Sequence, residues 1–312
     1  KFAVYGLEKY YGQDIFLTEA LTREALNAMK KSVEMNKPFY LYMSHYAVHS
    51  PYDEDKRFTP NYRGQFDEQL NDTLNENEVR YAALVEGMDK SLGDILDYLE
   101  QNPEVGKNTI LLFMSDNGGQ GLNNVRQGRA NRDQNYPARA GKGSAFMGGV
   151  REPMMVYWPG VTQGNTQNDQ RVMIEDFFPT ILEMAGVKQY RTLQTIDGTS
   201  FAEVLKHPAK RYERPIVWHF PNLWGETQNK EESYGAYSSI LKGDYHLIYT
   251  WESRQCRLYN VKEDIGEQND LADSMPEKIK ELADELTRYL KERDAQRPAY
   301  RSSGELIPYP NE

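Results

Sequence analysis

One cysteine, Cys256, is all that 312 residues carry, so no internal disulfide framework holds this chain together. No stretch approaches the roughly 20 apolar positions that a membrane-spanning helix needs. Positive charge is in deficit: 37 Lys and Arg stand against 47 Asp and Glu, a net charge of −10. That balance argues against a nucleic-acid partner, which needs a cationic footprint. Repeats and low-complexity tracts are absent. The chain begins at Lys1, so the lack of a leader peptide excludes nothing. What is present, 39% hydrophobic and 27% charged residues, is a globular composition long enough for one large domain and a smaller one.

Helical and extended patterns alternate over the first two thirds. Leu21, Ala25, Ala28, Met29 and Val33 recur at helical spacing and predict a helix over about 18–35. The aromatic-rich run 38–43 reads as a buried strand, and 44–75 as a polar, proline-punctuated loop. A long helix over 76–101 follows, with Val79, Ala83, Val85, Leu96 and Leu99 on its core face and Asn102-Pro103 as its stop. Strands over 109–114 and 153–157 and a helix over 173–185 complete the alternation. This predicts an α/β fold with a mostly parallel sheet flanked by helices over residues 1–205. From 206 the style changes. Runs at 236–241, 245–250 and 257–261, parted by turns such as Lys242-Gly243-Asp244, predict an antiparallel meander. A last helix over 276–292 is expected to open on a capping box, Ser274-x-x-Glu277, with Pro276 in its first turn. Residues 206–312 thus read as a small α+β domain.

The most informative segment is Ser115-Asp116-Asn117-Gly118-Gly119, directly after the 109–114 run. Ligands in open α/β sheets bind at the carboxyl ends of strands. Carboxylate and carboxamide oxygens there suit a hard cation such as Ca²⁺ or Mg²⁺, although Asn-Gly is also a common turn. Downstream, Arg126, Arg129, Arg132, Arg139 and Lys142 stand against a single acid, Asp133. That loop is either a solvated insertion or a positive funnel for an anionic ligand. Three further segments carry chemistry. His45 and His49 follow the 38–43 run, where an imidazole suits general-acid work. Their four-residue spacing matches a helical zinc pair only weakly, because the context is strand to loop. Gly141-Lys142-Gly143-Ser144 lets an ammonium approach an oxyanion closely. Gly148-Gly149-Val150-Arg151-Glu152-Pro153 leads into the next strand.

In this order the pieces resemble the sulfatase family of the alkaline-phosphatase-like superfamily. PFYLYMSHYAVHSPY is similar to its histidine segment, TILLFMSDNGG to its second metal-ligand segment, and GKGSAFMGGVREPMMVYWPG to its lysine loop and following strand. Gly243–Ile248, Leu258–Val261 and Asn269-Asp270-Leu271 resemble its small terminal domain. The resemblance implies that Asp116 and Asn117 bind the cation, usually Ca²⁺ and alternatively Mg²⁺. It implies that His49 protonates the leaving alcohol and that Lys142 grips a sulfate oxygen. His219, in Trp218-His219-Phe220-Pro221, is a lesser candidate to line a substrate pocket, with a structural histidine as the alternative. The arginines 126, 129 and 132 and the many aromatics suggest a sulfated carbohydrate as substrate.

The family's nucleophile is a formylglycine made in a Cys/Ser-x-Pro-x-Arg run, and none is present here. Cys256 lacks the proline; Ser274-Met275-Pro276-Glu277-Lys278 has lysine for arginine and is assigned to helix capping. The formylglycine and the remaining metal ligands are therefore expected in a segment upstream of Lys1, without which this segment is expected to be inactive. The leading expectation is sulfate ester hydrolysis, on a small molecule or a glycan, in a periplasmic, secreted or lysosomal protein. Phosphate or phosphonate ester hydrolysis on the same fold is one alternative. A binding protein that has lost the nucleophile is the other.

Overall fold

The computed structural model describes residues 4–68, 71–121, 134–222 and 234–312. By packing, the chain divides into two compact units, Lys1–Leu111 with Trp158–Gly160, and Leu112–Tyr157 with Val161–Glu312.

In the first unit, the helical periodicity of the sequence gives α1 (Leu17–Glu34), which buries Ala25 and Met29. After it come α2 (Thr59–Tyr62), the antiparallel pair β1 (Phe66–Asp67) and β2 (Asp72–Thr73), α3 (Glu76–Gln101) and α4 (Pro103–Gly106). A capping box opens α3. The Asn75 side chain accepts the Asn77 and Glu78 amides, and the Glu78 carboxylate accepts the Asn75 N–H. Such a cap contributes about 1 kcal/mol. α1 packs on α3, and a buried hydrogen bond of 2.6 Å joins Thr22 to Ser91 between them. The α3 core face departs from expectation at two positions: Val85 and Leu96 are exposed, while Leu84 and Gly87 are buried. The cause is a second packing surface, since Gly87 lies against Asp55 and Phe58 at the entry to α2.

Residues 38–43 correct a second expectation. They form no strand, and Tyr40 and Tyr42 are 75% and 80% exposed. An apolar run becomes a strand only when a neighbour pairs with its backbone, and no strand does so among the described residues.

The second unit holds β3 (Leu111–Met114, its first residue in the other unit), α5 (Met147–Val150) and β4 (Met154–Tyr157), with β3 and β4 paired. Next come α6 (Phe177–Met184) and α7 (Ala202–Lys206). The mostly parallel sheet expected from the sequence is not found among the described residues. Past the strand ends, Ser115 N–H donates to Pro153 and Gly118 N–H to Gly149, contacts that step in opposite chain directions.

The meander is present and gains a strand. β5 (Ile216–Phe220), β6 (Tyr237–Lys242), β7 (Tyr245–Thr250) and β8 (Gln255–Asn260) pair antiparallel in that order. Alternation of side chains gives the sheet two distinct faces. Ile240, Leu247 and Leu258 pack with Leu282, Leu286 and Leu290 of α8 (Pro276–Glu292). Each such leucine contributes up to roughly 1.5–3 kcal/mol by leaving water. Tyr237, Ile248 and Tyr259 pack instead with Ala140, Ala145 and Phe146 of the lysine loop. At the β8 margin the Leu258 amide donates to Asp270 Oδ1 at 3.0 Å, and the Leu258 carbonyl accepts the Leu271 amide at 2.8 Å.

The expected capping box of α8 does not form. Met275 is the N-cap and gives no side-chain cap, while Ser274 Oγ donates to the Leu271 carbonyl. Ser274 sits one residue too early, so Glu277 falls at the second helical position and not the third.

Candidate active site

β3 ends where its apolar run meets Ser115, and the next residues fold back on themselves. Ser115 Oγ donates to the Asn117 carbonyl at 3.0 Å. The Asn117 Nδ2 donates to the Gly118 carbonyl at 2.9 Å, which leaves the carboxamide oxygen as the end available to a ligand. Asp116 is exposed and makes no hydrogen bond or ion pair among the described residues. Two oxygen donors therefore stand adjacent at the strand end.

Lys142 is brought to this edge by backbone. Its amide donates to the Gly119 carbonyl at 2.8 Å. Asn135 ties the same two loops: its Oδ1 accepts the Gly119 amide at 2.7 Å, and its Nδ2 donates to Gly119 and Ala140 carbonyls at 3.0 and 2.8 Å. The approach is close enough that only glycine fits. A Cβ on Gly118 would lie 1.8 Å from the Gly148 carbonyl oxygen, one on Gly141 2.3 Å from the Gly121 nitrogen, and one on Gly149 2.3 Å from the Ser144 oxygen. Loops 118–121, 139–144 and 147–150 thus interlock main chain to main chain. Lys142 is a partly buried residue, and its ammonium makes no ion pair among the described residues.

Glu152 adds a group that the sequence did not single out. Its Oε1 is buried without a hydrogen-bond partner, and burial, followed by repulsion from Asp116, pushes its carboxyl up to about 7. A second carboxyl beside Asp116 is the kind of environment that a bound cation relieves. Among the described residues no cluster of three or more His, Cys, Asp or Glu side chains could hold a metal ion. The donor chemistry of Asp116, Asn117 and Glu152 fits a hard cation, while six to eight oxygens are needed for a full calcium shell. These residues would fill part of it.

His49 belongs to the first unit. Its Nδ1–H donates to the Ser50 carbonyl at 2.6 Å, so Nε2 is the atom the exposed ring offers outward. Its neighbour His45 is half-buried with an unpartnered Nδ1, and burial lowers its pKa. His219 has both nitrogens engaged: Nε2–H donates to the Gln296 carbonyl at 2.7 Å and Nδ1 accepts from Ser238 Oγ at 2.7 Å. Its ring meets Trp251 of the α8 face, whereas the lysine loop packs on the other. Burial lowers its pKa, against the opposing bond to the Gln296 carbonyl. In this arrangement neither nitrogen is free for a substrate. Arg126, Arg129 and Arg132 lie outside the described residues. Burial pushes the Cys256 thiol up to about 11, which removes it as a nucleophile.

The main chain of the lysine loop is therefore bonded to the loop that carries Asp116 and Asn117, beside the end of β3. The sulfatase family profile matches residues 5–187, more than half of the chain, and the profile of the C-terminal region of N-sulphoglucosamine sulphohydrolase matches residues 142–296. The chain belongs to the sulfatase family. It is 30% identical over 310 residues to a sulfatase of Formosa agariphila, covering 94% of this chain and 54% of that protein. It is 32% identical over 206 residues to N-acetylgalactosamine-6-sulfatase of Mus musculus, covering 66% of this chain and 36% of that protein. The crystal structure of Ps i-CgsB in complex with k-i-k-neocarrahexaose superposes with a TM-score of 0.70 at 25% identity, covering 91% of this chain and 56% of that one. The chain spans between about a third and about three fifths of the length of the curated relatives it matches. No helix among the described residues is long and apolar enough to cross a membrane.

Proposed function

We propose that this chain supplies the cation edge, the sulfate-binding lysine and the general acid of a hydrolase that cleaves a sulfate ester on a sulfated carbohydrate. The reading is carried by one observation: Lys142, partly buried and without an ion pair among the described residues, is locked to the Asp116–Asn117 loop through its own amide and Gly119. Relatives named for N-acetylgalactosamine 6-sulfate and a neighbour bound to a carrageenan-type oligosaccharide support the carbohydrate class. Asp116 and Asn117, with Glu152 beside them, would hold Ca²⁺ or Mg²⁺. When bound, the cation would offset sulfate charge, and a formylglycine, expected in a segment upstream of Lys1, would supply the attacking oxygen.

The chain's own residues do the remainder. Lys142 donates to a non-bridging sulfate oxygen, where charge grows as the S–O bond breaks. His49, oriented by its bond to Ser50 and acting in its doubly protonated form, gives the Nε2 proton to the departing alkoxide, which leaves as the free alcohol. Export from the cytoplasm, to a periplasmic, secreted or lysosomal site, is proposed on the family resemblance.

The test uses the full-length protein. It is offered 6-sulfated N-acetylgalactosamine, a carrageenan oligosaccharide, nitrophenyl sulfate and nitrophenyl phosphate, with and without chelator. Sulfate release from the sugars, slowed about 10²- to 10³-fold in Lys142→Ala, is the expected result. Faster turnover of the phosphate ester would transfer the reading to phosphate or phosphonate hydrolysis. No turnover, with no calorimetric binding of Ca²⁺ or Mg²⁺, would leave a binding protein.

A further inference from the structure

Glu267 lies in the turn after β8 and takes no part in the chemistry above. It is completely buried, and its φ of +48° places it in the left-handed region that side chains other than glycine rarely adopt. All three of its oxygens are used. Oε1 accepts Nδ1–H of the equally buried His246 at 2.7 Å, Oε2 accepts the Met147 amide at 2.6 Å, and the carbonyl accepts Arg139 Nη1 at 2.9 Å. Arg139 and Met147 lie on either side of Lys142 in the chain. One residue of the C-terminal region therefore grips both shoulders of the loop that carries the ammonium.

Between those shoulders the loop is wedged into the sheet. The Arg139 guanidinium stands 4.1 Å from the centre of the buried Phe146 ring, Arg257 stands 4.9 Å from it, and Tyr259 meets it edge to face at 5.7 Å. An apolar side chain at 267 would pack there without bringing a carboxylate out of water. A buried carboxylate persists at such a place when its hydrogen bonds fix something, and both bonded groups outside the meander belong to the Lys142 loop.

We propose that Glu267 is a positioning residue for Lys142, holding loop 139–147 on the sheet so that the ammonium stays at the Asp116–Asn117 edge. What Lys142 binds rests on the sulfatase reading; the clamp itself does not.

Glu267→Ala, and Glu267→Gln as the variant that keeps one acceptor oxygen, are compared in the full-length protein. Glu267→Ala is expected to lower kcat for sulfate release about 10- to 100-fold, as for a misplacement on the order of 1 Å. KM should change little, and Glu267→Gln should restore part of kcat. Combined with Lys142→Ala, the two losses should not add. Unchanged kcat, a loss confined to KM, or additive losses would overturn the proposal. Hydrogen exchange at the Met147 amide reads the clamp without activity. It should quicken about tenfold or more in Glu267→Ala, or in Glu267→Met, which fills the space without an acceptor oxygen, if the alanine variant does not fold, while Leu247 and Ile248 keep their protection. Undiminished protection at Met147 would sink the idea. Lost protection in the variant, with a wild type that releases no sulfate, would leave the clamp standing and the sulfatase reading refuted.

Discussion

Replacing Gly141 by alanine tests whether the site is built by main-chain contact. The added Cβ would sit 2.3 Å from the Gly121 nitrogen, 2.4 Å from the Gly119 oxygen and 2.8 Å from Asn135 Nδ2, where ordinary contacts begin at 3.4 Å. Two of these atoms are backbone and cannot swing aside, so the loops must part by about 1 Å in a close-packed region. The Gly119 oxygen is also the acceptor for the Lys142 amide. Overpacking of this kind costs about 1–3 kcal/mol. A displacement on the order of 1 Å at a catalytic group costs about 10²-fold in rate. Gly164→Ala is the control, since no atom lies within 4 Å of its Cβ position. Its effect should stay within about 0.5 kcal/mol. Thermal melting, cation titration by calorimetry and sulfate release from the full-length protein measure the three consequences. A Gly141→Ala protein that melts and turns over like the wild type would refute the interlock as the device that sets the site's spacing.

Three other outcomes are expected. Gly93, inside α3 with open space around it, should accept alanine with a gain of about 0.5–1 kcal/mol in chemical denaturation; a loss would mean a contact has been missed. Burial and Asp116 raise Glu152 from 4.5 to about 7, so the folded protein keeps a proton that the unfolded chain releases, and stability falls between those pH values and levels off above them. Glu152→Gln should remove that slope and, at pH 8 in chelator, be more stable than the wild type by roughly 1–2 kcal/mol after allowance for partial solvent access; urea melts at pH 5 and 8 with identical slopes for both proteins would count against it. Loss of a general acid at His49→Ala should slow an alkyl sulfate about 10²- to 10⁴-fold and an activated aryl sulfate much less, and equal losses on both would remove the proton-transfer role.

Local pattern carried much of the fold. The bounds of α3 and α8 and three strands of the meander were legible because capping, proline and turn chemistry are short-range. So was the delivery of Asp116 and Asn117 at a strand end, and the glycines around Lys142 pointed to a close approach. Residues 38–43 misled because hydrophobicity cannot report whether a pairing partner exists. Ser274 misled by a single residue of register. Glu267, His246 and Asn135 were missed for a different reason. The Glu267 bonds to Met147 and Arg139 join residues 120 and 128 positions apart, and Asn135 reaches back 16 to Gly119. No window of sequence contains such pairs. Glu152 stood in a quoted motif, but its raised carboxyl depends first on burial and then on Asp116, brought near by the β3–β4 pairing.

The bonds at Leu258 have a consequence for how copies of the protein meet. Asp270 and Leu271 occupy the outward donor and acceptor of the terminal ribbon, so at that point no extended segment from another molecule can be templated onto it. At this residue the chain covers its own sheet edge with the following turn, where many sheets rely on a lysine or a proline.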